Sequence, residues 1–266
     1  MKIVTLVENL VYQQGLGSEH GLSVYIETEN RKILFDTGQS GLFLQNAQTL
    51  GIAMEDINAL VLSHGHYDHT GGLYPFLKKN TKAKVYAKKD IFIPKYHGHN
   101  HFIGTPKNEI LLKDRLVEVD SVTEIADNVF IMPHITLCNP TDTHFKGFTK
   151  KVDNGFVADE FDDELFLVIK QDEQINILTA CSHRGITNIC TTAADHFKLP
   201  LGLILGGFHM MKCTAEQYAH VTNYFRLHEP KAIGVCHCSG VEQYANLKHD
   251  CKSDVFYNET GHKILI

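Results

Sequence analysis

The apolar residues of this chain are grouped into short runs that are separated by polar or glycine-containing stretches. Runs of this kind predict β-strands, particularly where Val, Ile, Leu and Phe dominate. We therefore expect strands at residues 2–7, 22–26, 32–35, 59–62, 83–86, 129–132, 165–169, 174–178, 201–205 and 232–235.

Helical spacing of apolar residues appears between several of these strands. The clearest cases are residues 42–50, which end at Gly51, and residues 73–79 and 214–227. Further helices are expected near Thr187 and after Gly240. Strands that alternate with helices place the residues after each strand at one edge of a sheet, where such folds collect ligands.

Two segments lack a regular pattern. Residues 93–110 contain two prolines and two glycines among alternating histidines, and we interpret this segment as a lid or substrate-contact loop. Its histidines, His97, His99 and His101, are either metal ligands or side chains that face solvent or substrate. The acidic stretch 152–163 is interpreted as a surface excursion.

Composition narrows the class of protein. A chain of 266 residues with 43% hydrophobic content can bury one full core, so residues 1–266 are expected to form a single domain. The net charge of −6 predicts no nucleic-acid partner. No apolar run predicts a membrane span or a secretion signal, and the seven cysteines form no paired framework. These features favour a cytoplasmic protein with a small-molecule substrate, and no oligomeric state is predicted.

One segment carries strong chemical information. His64, His66, Asp68 and His69 lie within six consecutive residues, directly after the predicted strand 59–62. Side chains two apart in an extended loop project to the same side, so His64 and His66 can bind one cation while Asp68 and His69 turn toward a second. The segment predicts two divalent metal ions. Zinc is the first choice, with iron or manganese as alternatives.

At this motif the chain resembles the metallo-β-lactamase superfamily, whose His-x-His-x-Asp-His signature these four residues match position for position. The resemblance implies an α+β fold, the four-layer αββα sandwich. Segments 19–23, 181–186, 206–209 and 237–240 are similar to a narrower branch. That branch is named for 7,8-dihydropterin-6-methyl-4-(β-D-ribofuranosyl)aminobenzene-5′-phosphate synthase.

The resemblance also implies further metal ligands at strand ends. His237 corresponds to the last ligand of the superfamily, and His183 stands in the Cys-Ser-His motif of the branch. Many members carry a bridging aspartate where this chain has Cys181, which is either a thiolate ligand or a buried neutral side chain. His134 is a reserve candidate. His209 resembles the proton-donating histidine of some phosphodiesterases of the superfamily, and the alternative for it is a packed histidine.

This arrangement predicts a metal-dependent hydrolase that directs a metal-bound hydroxide at a small, phosphate-bearing ester or lactone. Asp68 and His209 are the predicted catalytic residues. Ser182, Arg184 and Lys95 are predicted to contact the substrate. Two alternatives stay open. The first, which the branch implies, is a transferase that joins a dihydropterin to a ribofuranosyl-aminobenzene phosphate. The second is a non-catalytic metal-binding or sensing protein.

Overall fold

A computed structural model describes all residues from Met1 to Ile266. The strands are β1 Lys2–Val7, β2 Ser23–Glu27, β3 Lys32–Phe35, β4 Ala59–Val61, β5 Lys84–Ala87, β6 Lys95–His97, β7 His101–Phe102, β8 Leu116–Glu118, β9 Thr123–Ala126, β10 Val129–Met132, β11 Phe148–Val152, β12 Gly155–Ala158, β13 Phe166–Gln171, β14 Gln174–Leu178, β15 Leu201–Gly206, β16 Ala232–Val235, β17 Asp254–Tyr257 and β18 Lys263–Leu265.

The α-helices are α1 Leu42–Thr49, α2 Tyr67–Thr70, α3 Leu73–Lys79, α4 Glu109–Leu112, α5 Ile186–Phe197, α6 Ala215–His228 and α7 Val241–Asp250. Short 3-10 helices lie at Met54–Asp56, Lys89–Phe92, Pro140–Asp142 and His237–Ser239. None of the helices combines the length and the apolar composition that a membrane crossing requires.

Contacts divide the chain into two compact units that interleave in sequence. The first unit comprises Met1–Asp120, Phe145–Asp163 and Glu259–Ile266, and the second comprises Ser121–His144 and Glu164–Asn258.

The first unit is built on a seven-stranded mixed sheet in the order β18-β1-β2-β3-β4-β5-β8. The pairs from β18 to β3 are antiparallel, and those from β3 to β8 are parallel. Helices α1 and α3 contribute Phe43 and Phe76 to the core beneath the sheet, where both side chains are fully buried. Replacing either by Ala would cost about 3–5 kcal/mol. This packing fixes the parallel strand ends from which the motif loop leaves.

A second sheet in the first unit gives regular structure to two segments for which the sequence predicted none, while the predicted lid function of residues 93–110 stays a prediction. It has four antiparallel strands in the order β12-β11-β6-β7. The segment 93–110, expected to be irregular, supplies β6 and β7, and the expected excursion at 152–163 contains β12. Both segments pair with β11. Strand β6 finds there a partner that lies far away in sequence, whereas β12 forms a local hairpin with β11.

The second unit contains a seven-stranded mixed sheet in the order β17-β16-β15-β14-β13-β10-β9. The pairs from β17 to β14 are parallel, and those from β14 to β9 are antiparallel. Helices α5, α6 and α7 cover the core with apolar side chains, including Ile189 and Phe225. Helix α6 begins at a capping box between Thr214 and Gln217. The carboxyl ends of β14, β15 and β16 therefore share one edge.

Candidate metal centre

The motif histidines of the first unit form a buried cluster. His64 and His66 occupy the turn after β4, and helix α2 carries Asp68 and His69. His64 and His69 are fully buried, while His66 and Asp68 retain only 5% and 7% of their surface exposed. The ring centroid of His64 lies 4.7 Å from that of His66 and 4.4 Å from that of His69. Three imidazoles thus share one small volume.

A buried carboxylate orients two of these rings. Asp36, which follows β3 in a left-handed conformation, places Oδ2 2.8 Å from Nδ1 of His69. The same oxygen accepts a hydrogen bond from the Ser63 hydroxyl at 2.7 Å, and that hydroxyl lies 2.9 Å from Nδ1 of His64. Such contacts fix the tautomer and orientation of metal-binding imidazoles. Asp36 was not among the predicted site residues, although its position at the end of a parallel strand was a usable signal.

Electrostatics keep His64 in the form that binds metals. Burial, together with the neighbouring His69 and His66, holds the pKa of His64 well below its ordinary value. A fully buried imidazolium surrounded by other imidazoles would be costly. His64 is therefore neutral at physiological pH, and neutral imidazole is the metal-binding form.

His20 is a second residue outside the predicted set that lies close to the motif. Its Nε2 lies 3.2 Å from Oδ2 of Asp68, and about half of its side chain is exposed. The same carboxylate oxygen lies 3.7 Å from Nε2 of His69. Asp68 therefore contacts an accessible imidazole as well as a buried one. The only sequence signal was that His20 belongs to one of the branch segments.

Lys95 has a different environment from the one expected of a substrate ligand. It is 1% exposed, and its Nζ lies 2.6 Å from Oδ2 of Asp159 and 2.9 Å from Oδ1 of Asp163. Burial by itself lowers the pKa of Lys95, but Asp163 and Asp159 together raise it above its ordinary value. The ammonium therefore pairs with these two carboxylates, and a contact between Lys95 and substrate stays a prediction.

This ion cluster supports the motif loop. The second oxygen of Asp163 accepts a hydrogen bond from the Gly65 amide, between the two histidines, at 2.8 Å. A side chain at Gly65 has no room, because its Cβ would lie 2.2 Å from the Ile91 carbonyl oxygen. The loop is held by Asp163 on one side and by the backbone on the other. Lys95 therefore also supports the motif loop, because it pairs with Asp163, which accepts the hydrogen bond from Gly65.

In the second unit, the residues after β14 are also buried. The amides of His183 and Arg184 each donate to a carboxylate oxygen of Glu164 at 2.7 Å. Ser182 adopts a left-handed conformation, and its hydroxyl donates to the Gly207 carbonyl at 2.8 Å. Ser182 is fully buried, and its predicted contact with substrate stays a prediction. Arg184 remains half-buried and donates weakly to the Ile135 carbonyl at 3.4 Å.

The predicted ligand His183 is packed against other histidines. Its ring centroid lies 4.3 Å from that of His209, and His209 lies 5.1 Å from His144. The His144 amide donates to the His183 carbonyl at 2.8 Å. Donor atoms of Cys181, His183 and His209 lie within 4.8 Å of one another. His209, the predicted proton donor, therefore lies next to His183. The chemical role of His209 stays a prediction.

Two thiols also approach the predicted ligand His237. Donor atoms of Cys181, His237 and Cys238 lie within 4.8 Å of one another, and all three residues are buried. Burial by itself raises the pKa of Cys238, but hydrogen bonds with Cys181 and His209 hold it well below its ordinary value. The sequence analysis considered Cys181 and overlooked Cys238.

The remaining histidines that were considered as ligands lie elsewhere. His134 is exposed, and His97, His99 and His101 lie on or between β6 and β7. The ring of His99 stacks on Phe156 with centroids 4.8 Å apart. None of these four histidines belongs to a group of at least three donors that could hold a metal ion.

The donor chemistry fits divalent metals. Neutral imidazoles, one carboxylate and thiols are the ligand types that zinc and iron use, and the buried carboxylate Asp36 supplies the second layer of contacts that metal-binding histidines require. The arrangement would hold borderline-soft cations better than magnesium or calcium, which prefer oxygen ligands.

Comparison with known proteins agrees with this chemistry. An uncharacterized protein of Methanocaldococcus jannaschii is 30% identical over 92% of this chain and 93% of its own length. A 7,8-dihydropterin-6-methyl-4-(β-D-ribofuranosyl)-aminobenzene-5′-phosphate synthase from the same organism is 29% identical over 96% and 92%.

A solved structure has the same fold. The crystal structure of a metal-dependent hydrolase of the β-lactamase superfamily matches with a TM-score of 0.88 and 29% identity, covering 100% of this chain and 99% of that one. The family model of the metallo-β-lactamase superfamily matches residues 16–159, which is more than half of the chain. Members of this superfamily typically bind divalent metals, and the mixed sheets and helices described above are those of its α+β fold. The chain belongs to the metallo-β-lactamase superfamily.

Proposed function

We propose that this protein is a metal-dependent hydrolase that acts on a small, phosphate-bearing ester or lactone. The observation that carries the proposal is the buried cluster of His64, His66 and His69, with Asp36 behind it. A buried cluster of imidazoles that a carboxylate orients is costly to build, and metal binding would offset this cost.

The proposed ligand set follows the family pattern. It consists of His64, His66, Asp68, His69, His183 and His237, and two divalent ions are proposed, with zinc as the first candidate. When bound, such ions polarise a carbonyl or phosphoryl group and lower the pKa of water to about 7. Support for the set comes from the motif match and from the burial of all six residues.

The protein's own residues would complete the chemistry. Asp68 would orient the attacking water. His20, whose Nε2 lies 3.2 Å from the Asp68 carboxylate, would hold that carboxylate in position. His209 would protonate the leaving group, a contribution of about 10²–10⁴-fold for a general acid. Arg184, which precedes helix α5, would attract the substrate phosphate.

The first test is metal analysis combined with a substrate panel. Protein purified without chelator should contain about two equivalents of metal per chain, and it should hydrolyse at least one phosphomonoester, phosphodiester or lactone in a chelator-sensitive manner. The variant His64→Ala should lose metal and activity. The matched control His134→Ala removes an exposed histidine and should lose neither. Metal-free protein after reconstitution would contradict the proposal.

A second candidate function is a synthase. The observation that favours it is the 29% identity to a dihydropterin-ribofuranosylaminobenzene phosphate synthase over 96% of this chain. The discriminating experiment supplies a dihydropterin and a ribofuranosyl-aminobenzene phosphate to the same metal-loaded preparation. Formation of the coupled product, without turnover in the hydrolase panel, would select the synthase. Metal binding without either activity would favour a binding or sensing role.

A further inference from the structure

The second unit contains a pair of thiols that the family's ligand pattern does not use together. Cys181 follows β14, and Cys238 lies in the 3-10 helix that follows β16. Both are buried, with 2% and 8% of their surface exposed. The strands β14 and β16 are not neighbours, because β15 lies between them. Side chains from their ends can meet only if β15 leaves space.

That space comes from two glycines at the end of β15. A Cβ at Gly207 would lie 2.6 Å from the Cys238 sulfur and 2.5 Å from the Ala180 carbonyl oxygen. A Cβ at Gly206 would lie 2.1 Å from the Thr179 carbonyl oxygen. Any side chain at these positions would therefore push the two strand ends apart. The glycines allow the Cys238 sulfur to lie 3.6 Å from the Cys181 carbonyl oxygen.

The contacts of Cys238 suit a metal-binding sulfur. The backbone amide of His209 donates to its sulfur at 3.3 Å, and N–H groups directed at sulfur stabilise a thiolate. The surrounding turn is fixed, since the Ser239 hydroxyl accepts from the Phe208 amide at 2.8 Å. The sulfur is therefore held in place beside His237.

We propose that Cys181 and Cys238, together with His237, are ligands of one metal ion. The inference rests on the proposed function through His237 and adds two thiolates to the donor set. Binding would form two metal–sulfur bonds and one metal–nitrogen bond, and any proton that either sulfur carries would pass to solvent. Two thiolates and one imidazole would fill three positions of a tetrahedral ion and leave one for a further ligand of the proposed set, for water or for substrate.

Distances support this assignment. The three donor atoms lie within 4.8 Å of one another. In a tetrahedral site with zinc–sulfur bonds of about 2.3 Å, two sulfurs lie about 3.8 Å apart. Small rotations of the Cys181, Cys238 and His237 side chains would bring the three donor atoms to metal-binding distances. The consequence is a metal ion with a softer environment than the histidine–carboxylate pattern provides, which favours zinc or ferrous iron over manganese.

Cobalt substitution tests the proposal with a spectroscopic readout. Metal-free protein, reduced and kept anaerobic, is loaded with Co²⁺, and the near-ultraviolet thiolate-to-cobalt charge-transfer band is recorded. The wild-type protein should show the band, and Cys181→Ser and Cys238→Ser should each lose about half of it. Cys213→Ser, a control in the same unit, should retain all of it. An unchanged band in both serine variants would overturn the proposal.

A measurement on the wild-type protein avoids any folding defect of the variants. X-ray absorption at the zinc edge should reveal a sulfur shell at about 2.3 Å besides nitrogen and oxygen at about 2.0–2.1 Å. A first shell of nitrogen and oxygen alone would overturn the proposed thiolate ligands while leaving the proposed function intact. Failure of the proposed function has a different signature, because the wild-type protein would then show the sulfur shell and hydrolyse none of the panel substrates.

Discussion

Replacement of Lys95 by Met should destabilise the protein far more than an ordinary lysine substitution. Lys95 is 1% exposed, and its ammonium lies 2.6 Å from Asp159 and 2.9 Å from Asp163. Methionine has a similar length and keeps the packing, but it leaves two buried carboxylates without a cation. Breaking a buried ion pair by removing one partner costs about 3–5 kcal/mol.

The neighbouring strand offers a matched control. Lys150 on β11 lies directly opposite Lys95 in the sheet register, and its Nζ is 3.1 Å from Asp162. Asp162 is 55% exposed, so water screens this pair and Lys150→Met should cost only about 0–1 kcal/mol. The two variants remove the same charge from the same sheet. They differ in the burial of the partner carboxylates.

Urea denaturation of the metal-free proteins measures both free energies of unfolding without a contribution from bound metal. A third variant combines Lys95→Met with Asp159→Asn and Asp163→Asn. It should recover part of the lost free energy of unfolding, because no charge then remains buried in this cluster. Equal, small losses in Lys95→Met and Lys150→Met would refute the reasoning. They would mean that the buried carboxylates accept a proton or water at little cost.

Three further predictions concern the centre and its surroundings. Asp36→Asn should weaken zinc binding by about 10–100-fold, as a competition assay with a chromophoric chelator would show, and unchanged affinity would exclude an orienting role. Gly65→Ala should cost about 1–3 kcal/mol because the new Cβ meets the Ile91 carbonyl at 2.2 Å, whereas Gly41→Ala, with only a 3.8 Å contact, should be nearly neutral in thermal denaturation. Burial and the hydrogen bond to Asp250 raise the pKa of Tyr218 to about 12, so this tyrosine stabilises the fold below pH 10 and loses that contribution as the pH rises from 10 to 12. Alkaline unfolding of Tyr218→Phe should lack this component, and identical pH profiles would contradict the prediction.

Local sequence patterns predicted much of the fold. The strands at 2–7, 32–35, 129–132, 174–178 and 232–235 and the helix at 73–79 have the predicted bounds. The motif residues at 64–69 were recognisable because their chemistry is concentrated within one loop. Patterns of this kind depend on neighbours in sequence, and a single sequence displays them directly.

The contacts that the sequence did not reveal join distant residues. Lys95 is separated by 64 and 68 positions from its two carboxylate partners, and its flanking proline suggested an irregular loop instead of a strand. Cys238 lies 57 positions from Cys181, and their approach depends on two glycines in a third strand. The burial of Lys95 and Cys238 is a property of the assembled fold, and a single sequence does not display it.

The last strand of the chain has a consequence for biosynthesis. Strand β18 pairs with β1, where Lys2 lies opposite Leu265, so the two ends of the sequence form neighbouring strands of the first unit. Residues 259–266 all belong to that unit, whereas the second unit is complete at Asn258. During translation the second unit can therefore acquire its full set of strands first. The edge of β1 that β18 covers stays unpaired until β18 has been synthesised, and until then this edge can pair with a strand of another chain.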